Sequence, residues 1–201
     1  MMGRQAEKSE TTRAALVAAA RELFAERGYA GVGTMEIVNR AGSSRGAMYH
    51  HFKDKQELFR AVYEQIQQEL IQRVTQEMAG IGDAGPLAAF QVGLHAFLLA
   101  CLDPDKSRIG LVEAPAVLGW QQWRELDQQY ALGIVTAGLQ LGVQAGALRC
   151  DIPIRVLAHL VLAALGEAGL LIASAEDPDA ERLEAERAVL ALLDGLRTDQ
   201  G

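Results

Sequence analysis

Apolar residues recur at three- and four-residue spacing along almost the whole chain. Leu16, Leu23 and Phe24 lie on one such stripe, and Ile37 and Val38 lie on the next. This is the period of an α-helix that buries one face, whereas no segment shows the strict alternation that predicts a β-strand. The pattern therefore predicts an all-α fold.

Helix-capping residues and glycines divide the first eighty residues into four predicted helices. A residue that commonly caps helix N-termini stands before each stripe: Ser9, Thr34, Ser43 or Ser44, and Asp54. Glu57, three residues after Asp54, completes a variant of the capping box. Gly28 is expected to end the first helix in the left-handed conformation that glycine adopts easily. The apolar stripe of the fourth helix runs unbroken from Leu58 to Met78.

A glycine-rich connector at residues 79–85 separates these helices from a larger helical body. Pro86 suits the first turn of the next helix, and a long pattern runs from Pro115 toward Gly146. Gly138, Gly142 and Gly146 are spaced by four residues. They predict either a close approach of two helices or, for Gly146, a helix C-cap.

The last two predicted helices differ in how much of their surface is apolar. Residues 156–172 are apolar nearly all round except for His159 and Glu167, and the final helix has Leu183, Leu192 and Leu196 on one face. Two arrangements remain open. The two helices could pack within one subunit, or they could pair with a second copy as a four-helix bundle.

These patterns divide the chain into two predicted domains. Residues 1–56 form a three-helix N-terminal head that includes the start of the fourth helix, and residues 57–201 form the body. Because the apolar stripe of the fourth helix is continuous, we expect this helix to belong partly to both.

Charge is distributed unevenly between these domains. The net charge is −7, but residues 1–60 carry ten basic and seven acidic side chains, whereas the remainder carries nine and nineteen. A locally basic end in an acidic chain favours a polyanionic partner at that end.

Several classes of protein are disfavoured by the sequence. No apolar run reaches the roughly 18 residues that span a bilayer, and the charged first twenty residues lack a signal-peptide core, so we expect a cytoplasmic protein without membrane contact. Cys101 and Cys150 lie far apart without a metal-binding motif nearby, which predicts two buried thiols. No cofactor or metal ion is expected.

Residues 34–58, TMEIVNRAGSSRGAMYHHFKDKQEL, have the size of a helix-turn-helix. In that motif the second helix lies in the major groove of DNA and the first crosses the backbone. Met48 and Phe52 share one face of the second helix and are expected to lock it into the core of the head.

The opposite face of this second helix is predicted to contact DNA. Gly46 and Ala47 are small enough for a close approach to base edges, and Arg45 offers two donors to guanine. Phosphate contacts are expected from Thr34, Tyr49, His50 and Lys55.

The order of these features resembles the tetracycline-repressor (TetR) family of bacterial regulators. The similarity rests on the first-helix ending LFAERGY and on the run AGSSRGAMYHHFKDKQEL, and it covers roughly residues 11–62. One departure is Ser43, which stands where many relatives have an apolar residue.

The resemblance implies an all-helical homodimer that binds an operator in double-stranded DNA, joins its subunits through the last two long helices and holds a small-molecule effector in the body. The DNA-facing positions that it implies are Thr34, Ser44, Arg45, Gly46, Ala47, Tyr49, His50 and Lys55. The expected function is a ligand-responsive regulator, a repressor that a lipophilic effector releases from a palindromic operator.

Candidate effector contacts are the aromatic and polar residues interspersed in the apolar helices of the body. They are Phe97, Glu113, Trp120, Trp123, His159 and Glu167. A mostly apolar pocket with a few orienting polar groups suits a lipophilic molecule, and a cationic ligand would give an isolated carboxylate a partner. The competing interpretation places the tryptophans and histidines in the core or at an interface.

Enzymatic activity is not expected, and no residue is assigned a catalytic role. Gly42, Ser44 and Gly46 match the spacing of a G-x-S-x-G nucleophile elbow, but that motif requires a preceding strand and the pattern before it is helical. The alternative functions are a hydrolase or a helical small-molecule-binding protein that does not bind DNA.

Overall fold

The computed structural model describes residues 2–198, which form ten α-helices. Their bounds are α1 Met2–Arg27, α2 Thr34–Arg40, α3 Arg45–His51, α4 Lys55–Ala79, α5 Pro86–Ala100, α6 Ala114–Leu118, α7 Trp120–Asp127, α8 Gly133–Gln144, α9 Ile154–Ser174 and α10 Pro178–Asp194. Over the same residues, β structure is limited to an isolated bridge between Leu148 and Arg197. The all-α prediction is confirmed.

The head consists of α1, α2 and α3 packed against the first half of α4. Its centre is an aromatic cluster of Phe24, Tyr29 and Phe59, with ring centroids 5.3 to 5.6 Å apart. Met48 and Phe52 are buried in the same core, as their spacing predicts. They fix the orientation of α3, so that the opposite face of α3 points to solvent.

The helix ends follow the sequence signals with two exceptions. Ser44 caps α3 by accepting a 3.1 Å hydrogen bond from the Ala47 amide, and the Asp54 carboxylate does the same for the Glu57 amide at 2.8 Å. Ser9, however, lies inside α1, which begins at Met2. Thr34 is the first residue of α2 rather than its cap.

Two predictions about the body need correction. The pattern from Pro115 toward Gly146 is not one helix, because Gly119 adopts a φ of +83° between α6 and α7. A π-helical segment at Gln128–Leu132 then joins α7 to α8. Cys101 is buried as expected, but Cys150 is exposed.

The three spaced glycines serve both of the predicted purposes. Gly146 has a φ of +72° directly after the last turn of α8 and so ends that helix. Gly138 lies against the ring of Phe90 on α5, where a Cβ atom would come within 2.4 Å of Phe90 Cδ2. The close packing of α5 and α8 therefore depends on the absence of a side chain at position 138.

Helix α9 has 21 residues and a mean hydropathy of 2.1 over its most apolar window, enough by length and composition to cross a membrane. In the fold it packs against α5, α8 and α10. Ala158, Leu165 and Ile172 are buried in the core of the body. The helix thus has a core role within the part of the chain that the structure describes.

We predict that Gly138→Ala destabilises the fold by about 1 to 3 kcal/mol, because the new methyl group overlaps the buried Phe90 ring. Gly133→Ala on the same helix is the control, since its Cβ atom meets nothing within 4 Å. It should be neutral or stabilise by up to about 1 kcal/mol. Denaturant unfolding at equal protomer concentration measures both, and equal stability of the two variants would contradict the prediction.

Candidate nucleic-acid interface and internal cavity

The solvent-facing side of α3 brings together most of the residues predicted to contact DNA. Arg45, Gly46, Tyr49 and His50 are exposed, and the Arg45 guanidinium lies 5.6 Å from the centroid of the Tyr49 ring. Arg45 forms no ion pair among the side chains that the structure describes. The N–H donors of Arg45 are therefore available to bases in a DNA groove.

The remaining predicted contacts in the turn lie at the edge of this face. Ser44 is exposed, and its hydroxyl oxygen is engaged in capping α3, which leaves the O–H free to donate. Thr34 and Ala47 are half-buried.

Lys55 has a structural role in addition to the phosphate contact predicted for it. Its Nζ donates to the backbone carbonyls of Tyr29 at 2.8 Å and Val32 at 2.9 Å, and lies 4.0 Å from the Tyr29 ring centroid. Burial lowers the pKa of the Lys55 ammonium. Two of its three N–H donors thus hold the α1–α2 loop, so one remains for a phosphate.

Ion pairs elsewhere in the head neutralise other arginines, so the unpaired positive charge that remains lies near α3. Arg27 pairs with Glu36 at 2.9 Å, and Arg40 pairs with Glu22 at the same distance. Paired arginines contribute little to the electrostatic potential around the head. The unpaired cations beside α3 therefore dominate that potential. The excess of basic residues that the sequence shows in residues 1–60 is thus located mainly beside α3.

A cavity of about 350 Å³ lies in the body between α4, α5, α7, α8 and α9. Four of the six predicted effector contacts line it: Phe97, Trp120, Trp123 and Glu167. The two tryptophan rings are 5.0 Å apart, and Trp120 and Glu167 are exposed at its margin. The lining is mostly apolar, as the sequence predicts.

Glu113 and His159, the other two predicted effector contacts, do not line this cavity. His159 is half-buried on α9. Glu113 ends a π-helical segment, Lys106–Glu113, and its Oε2 accepts a 2.9 Å hydrogen bond from the Tyr29 amide. A π-helical segment does not follow the 3.6-residue period, so the sequence pattern gave the wrong direction for this side chain.

Glu113 and Arg108 together form what we call the head–body clamp. Arg108 donates to the carbonyls of Ala25 at 3.1 Å and Glu26 at 3.2 Å, which are otherwise unpaired acceptors at the end of α1. Gly28 allows this contact, since its φ is +75° and a Cβ atom there would come within 2.4 Å of Glu113 Oε1. The clamp fixes the end of α1 to the body.

One end of the cavity carries polar groups, of which the sequence analysis identified only Trp123. Tyr63 Oη and Trp123 Nε1 are buried without a hydrogen-bond partner, although the indole lies close enough to influence the pKa of Tyr63. Burial, followed by the neighbouring Asp127 carboxylate, raises the pKa of Tyr63. Gln67 is also buried, and the structure gives it no partner among the described residues.

Asp127 is the ionisable group most affected by this environment. Its carboxylate forms no hydrogen bond or ion pair with any described residue, and burial raises its pKa to about 6. In the sequence, Asp127 looks like an ordinary polar position of an amphipathic helix. Gln67 was the detectable signal, because it stands between Tyr63 and Ile71 in the row of residues beside the continuous apolar stripe of α4.

This geometry defines a helix-turn-helix DNA-binding protein with a ligand-sized cavity in a separate helical body. The family model described as "Bacterial regulatory proteins, tetR family" matches residues 16–62. The model described as "Tetracyclin repressor-like, C-terminal domain" matches residues 87–196, more than half of the chain. The chain therefore belongs to the TetR family of transcriptional regulators.

Individual relatives agree with this assignment. A TetR-family transcriptional regulator from Pectobacterium atrosepticum has a solved structure with 33% identity and a TM-score of 0.83, covering 96% of this chain and 97% of its own. The Transposon Tn10 TetC protein of Escherichia coli is 30% identical over 145 residues, 72% of each chain. The transcriptional repressor AcnR of Corynebacterium diphtheriae is 30% identical over 165 residues, 82% of each chain.

We predict that Asp127→Asn stabilises the fold at neutral pH by about 2 kcal/mol, because the native carboxylate is ionised there without a partner. A raised pKa in the folded state means that the folded protein binds the proton more tightly. The free-energy cost of burying the ionised carboxylate is therefore complete above pH 6. It declines as the pH falls toward 3.8, the ordinary pKa of an aspartate.

Thermal unfolding between pH 5 and pH 8 measures this difference. Glu125→Gln, at an exposed carboxylate on the same helix, is the control and should show no such pH dependence. A stability gain for Asp127→Asn that is equal at pH 5 and pH 8 would rule out burial of the charge as its cause.

Proposed function

We propose that this protein is a ligand-responsive repressor that binds a palindromic operator as a homodimer and is released by a small lipophilic effector. The observation that carries the proposal is that one helix, α4, contributes both to the core that holds the groove-facing α3 and to the wall of the apolar cavity. A regulator of this kind acts where the chromosome is, in the bacterial cytoplasm.

The DNA-binding step follows from the exposed face of α3. In the proposed complex Arg45 donates twice to a guanine, and the small residues Gly46 and Ala47 let the helix approach base edges. Phosphate contacts in this complex come from Tyr49, His50 and the free donors of Thr34, Ser44 and Lys55. Phosphate contacts position the head, and Arg45 supplies most of the base preference.

The dimer is proposed to form through α9 and α10. Large apolar side chains on these helices remain exposed in the single chain, including Leu160 at 62% and Leu192 at 65%. Val156, Leu170, Leu171 and Leu183 are exposed as well. Two copies that cover these residues as a four-helix bundle would present two heads to successive major grooves, ~34 to 36 Å apart on one face of the DNA.

Repression as the outcome is supported by the relatives, since AcnR of Corynebacterium diphtheriae is named a transcriptional repressor. The ligand response is supported by the cavity, which has the volume and the apolar lining of small-molecule sites. A coupling of ~1 to 3 kcal/mol between cavity and operator changes the affinity for DNA by roughly 5- to 150-fold.

We predict that Arg45→Ala weakens binding to the preferred operator by roughly 5- to 150-fold and relaxes the preference at one base pair in each half-site, because a bidentate contact to guanine is lost. The operator is first selected from random duplexes with the wild-type protein. Fluorescence anisotropy at fixed salt then compares the variants.

Arg73→Ala is the matched control, because Arg73 is an exposed arginine on α4 without an ion pair among the described side chains. It should bind like the wild-type protein. If Arg45→Ala keeps both the affinity and the base preference, Arg45 does not read the operator. If no duplex is selected, the proposed function itself fails.

We predict that Leu160→Glu and Leu192→Glu convert the dimer into monomers, because each places a charge in the proposed interface, where it would be buried without a partner. Leu141→Glu is the control, since Leu141 is also half exposed but lies on α8 outside that interface. Sedimentation velocity measures all three. A dimer that survives both α9 and α10 substitutions would move the interface to another face.

A further inference from the structure

We propose that the cavity takes a neutral, largely apolar molecule with a hydroxyl group, and that Tyr63, Gln67, Trp123 and Asp127 bind this hydroxyl at one end. We call these four residues the polar end of the cavity. The inference rests on the proposed ligand response and names the chemical class of the ligand. Its test measures binding directly, without DNA.

The first argument is that the polar end lacks the partners that buried polar atoms normally have. Tyr63 Oη and Trp123 Nε1 have almost no contact with solvent and no well-formed hydrogen bond. The indole N–H lies near the Tyr63 hydroxyl, but the contact does not satisfy hydrogen-bond distance and angle. Gln67 is only 7% exposed. All of these residues line the cavity. Buried donors and acceptors without partners are costly, so a molecule that satisfies several of them at once gains affinity.

The second argument is the balance of donors and acceptors. The Trp123 indole only donates, the ionised Asp127 carboxylate only accepts, and the Tyr63 hydroxyl and Gln67 amide do both. A ligand hydroxyl matches this set, because one oxygen accepts from the indole and donates to the carboxylate. An ammonium group cannot accept from Trp123, and a carboxylate cannot donate to Asp127.

The third argument is charge. The side chains along the cavity that are charged at neutral pH are two cations, Lys106 and Arg124, and two anions, Asp127 and Glu167. Lys106 is also paired with Asp103 at 2.5 Å. Glu167 lies exposed at the margin, where solvent screens its charge. The remaining pair, Arg124 and Asp127, have opposite charges and influence each other, so the enclosed part of the cavity carries no net charge and a neutral ligand is favoured.

The size and lining of the rest of the cavity define the remainder of the ligand. Away from the polar end, the wall is formed by apolar side chains: Val74, Met78, Phe90, Leu94, Val135 and Leu165. A volume of about 350 Å³ holds roughly a dozen groups the size of a water molecule. A bicyclic hydrocarbon skeleton with one hydroxyl group fits this space.

A matched series of naphthalenes tests the proposal on the full chain. The probes are 2-naphthol, 2-methylnaphthalene, protonated 2-naphthylmethylamine and 2-naphthoate, titrated at pH 7.5 with tryptophan fluorescence as the readout. We expect 2-naphthol to bind at least tenfold more tightly than each of the others. An equal affinity for 2-methylnaphthalene would show that the polar end is unused, and tighter binding of the amine or the carboxylate would overturn the neutral assignment. No binding of any probe would also overturn the proposal.

Tyr63→Phe removes one polar atom from the polar end without changing its shape. We expect the preference for 2-naphthol over 2-methylnaphthalene to fall below about threefold, while the affinity for 2-methylnaphthalene stays within twofold of the wild type. Thr75→Val, which removes a hydroxyl group from the exposed side of the same helix outside the cavity, is the matched control and should keep the full preference. An unchanged preference in Tyr63→Phe would contradict the assignment of the hydroxyl to this end.

The same probes separate this inference from the proposed function. If 2-naphthol binds with the expected preference but does not release the operator, the ligand class stands and the ligand response fails. If the protein binds an operator but prefers an ionic probe, the DNA-binding function stands and the ligand class is wrong.

Discussion

The constraint on which the rest of the structure depends is that α4 has to satisfy two hydrophobic environments at once. Near its start, Phe59 packs against Phe24 and Tyr29 in the head, with tilted and edge-to-face ring contacts. Further along, Ile71, Val74 and Met78 line the cavity of the body. Both environments are thus attached to one continuous hydrogen-bonded helix, and we propose α4 as the route by which a shift at its cavity end reaches the core that orients α3.

A second connection runs through the π-helical segment Lys106–Glu113. Gly110 and Leu111 line the cavity, whereas Ile109 is buried in the core of the head. The clamp residues Arg108 and Glu113 hold the end of α1. Neighbouring residues of this segment thus face the cavity on one side and the core of the head on the other. The wider turn of a π-helix spaces its side chains differently from an α-helix and so allows these two directions. Cavity and head are therefore joined by this segment as well as by α4.

The sequence was sufficient wherever a feature depends on local chemistry. The caps at Ser44 and Asp54, the stop at Gly28 and the inward face of α3 follow from residue type and spacing, and the structure confirms them. Phe97 and Trp123 could be proposed as cavity residues because they are large aromatic residues within apolar helices of the body.

The sequence was insufficient where contacts are distant along the chain. Lys55 and Glu113 both bind backbone groups near Tyr29, which is 26 residues from Lys55 and 84 from Glu113. Nothing in the local pattern marks such partners. For the same reason the polar end of the cavity was missed, since Tyr63 and Asp127 come from helices that are neighbours only in the folded chain. The division at residue 56 also stays a prediction, because α4 crosses it.

A ligand in the cavity alters DNA binding only if it favours one arrangement of these connected elements over another. The polar end is suited to make that distinction. Tyr63 and Gln67 lie on α4, while Trp123 and Asp127 lie on α7, so one hydroxyl bound between them links the two helices through directional bonds. Hydrogen bonds weaken steeply when their geometry changes, whereas apolar contacts tolerate small shifts. The apolar wall therefore supplies most of the affinity, and the hydroxyl sets the spacing of α4 and α7 that the bound ligand prefers. Because α4 also anchors the head, we propose that this spacing selects the separation of the two α3 helices in the proposed dimer.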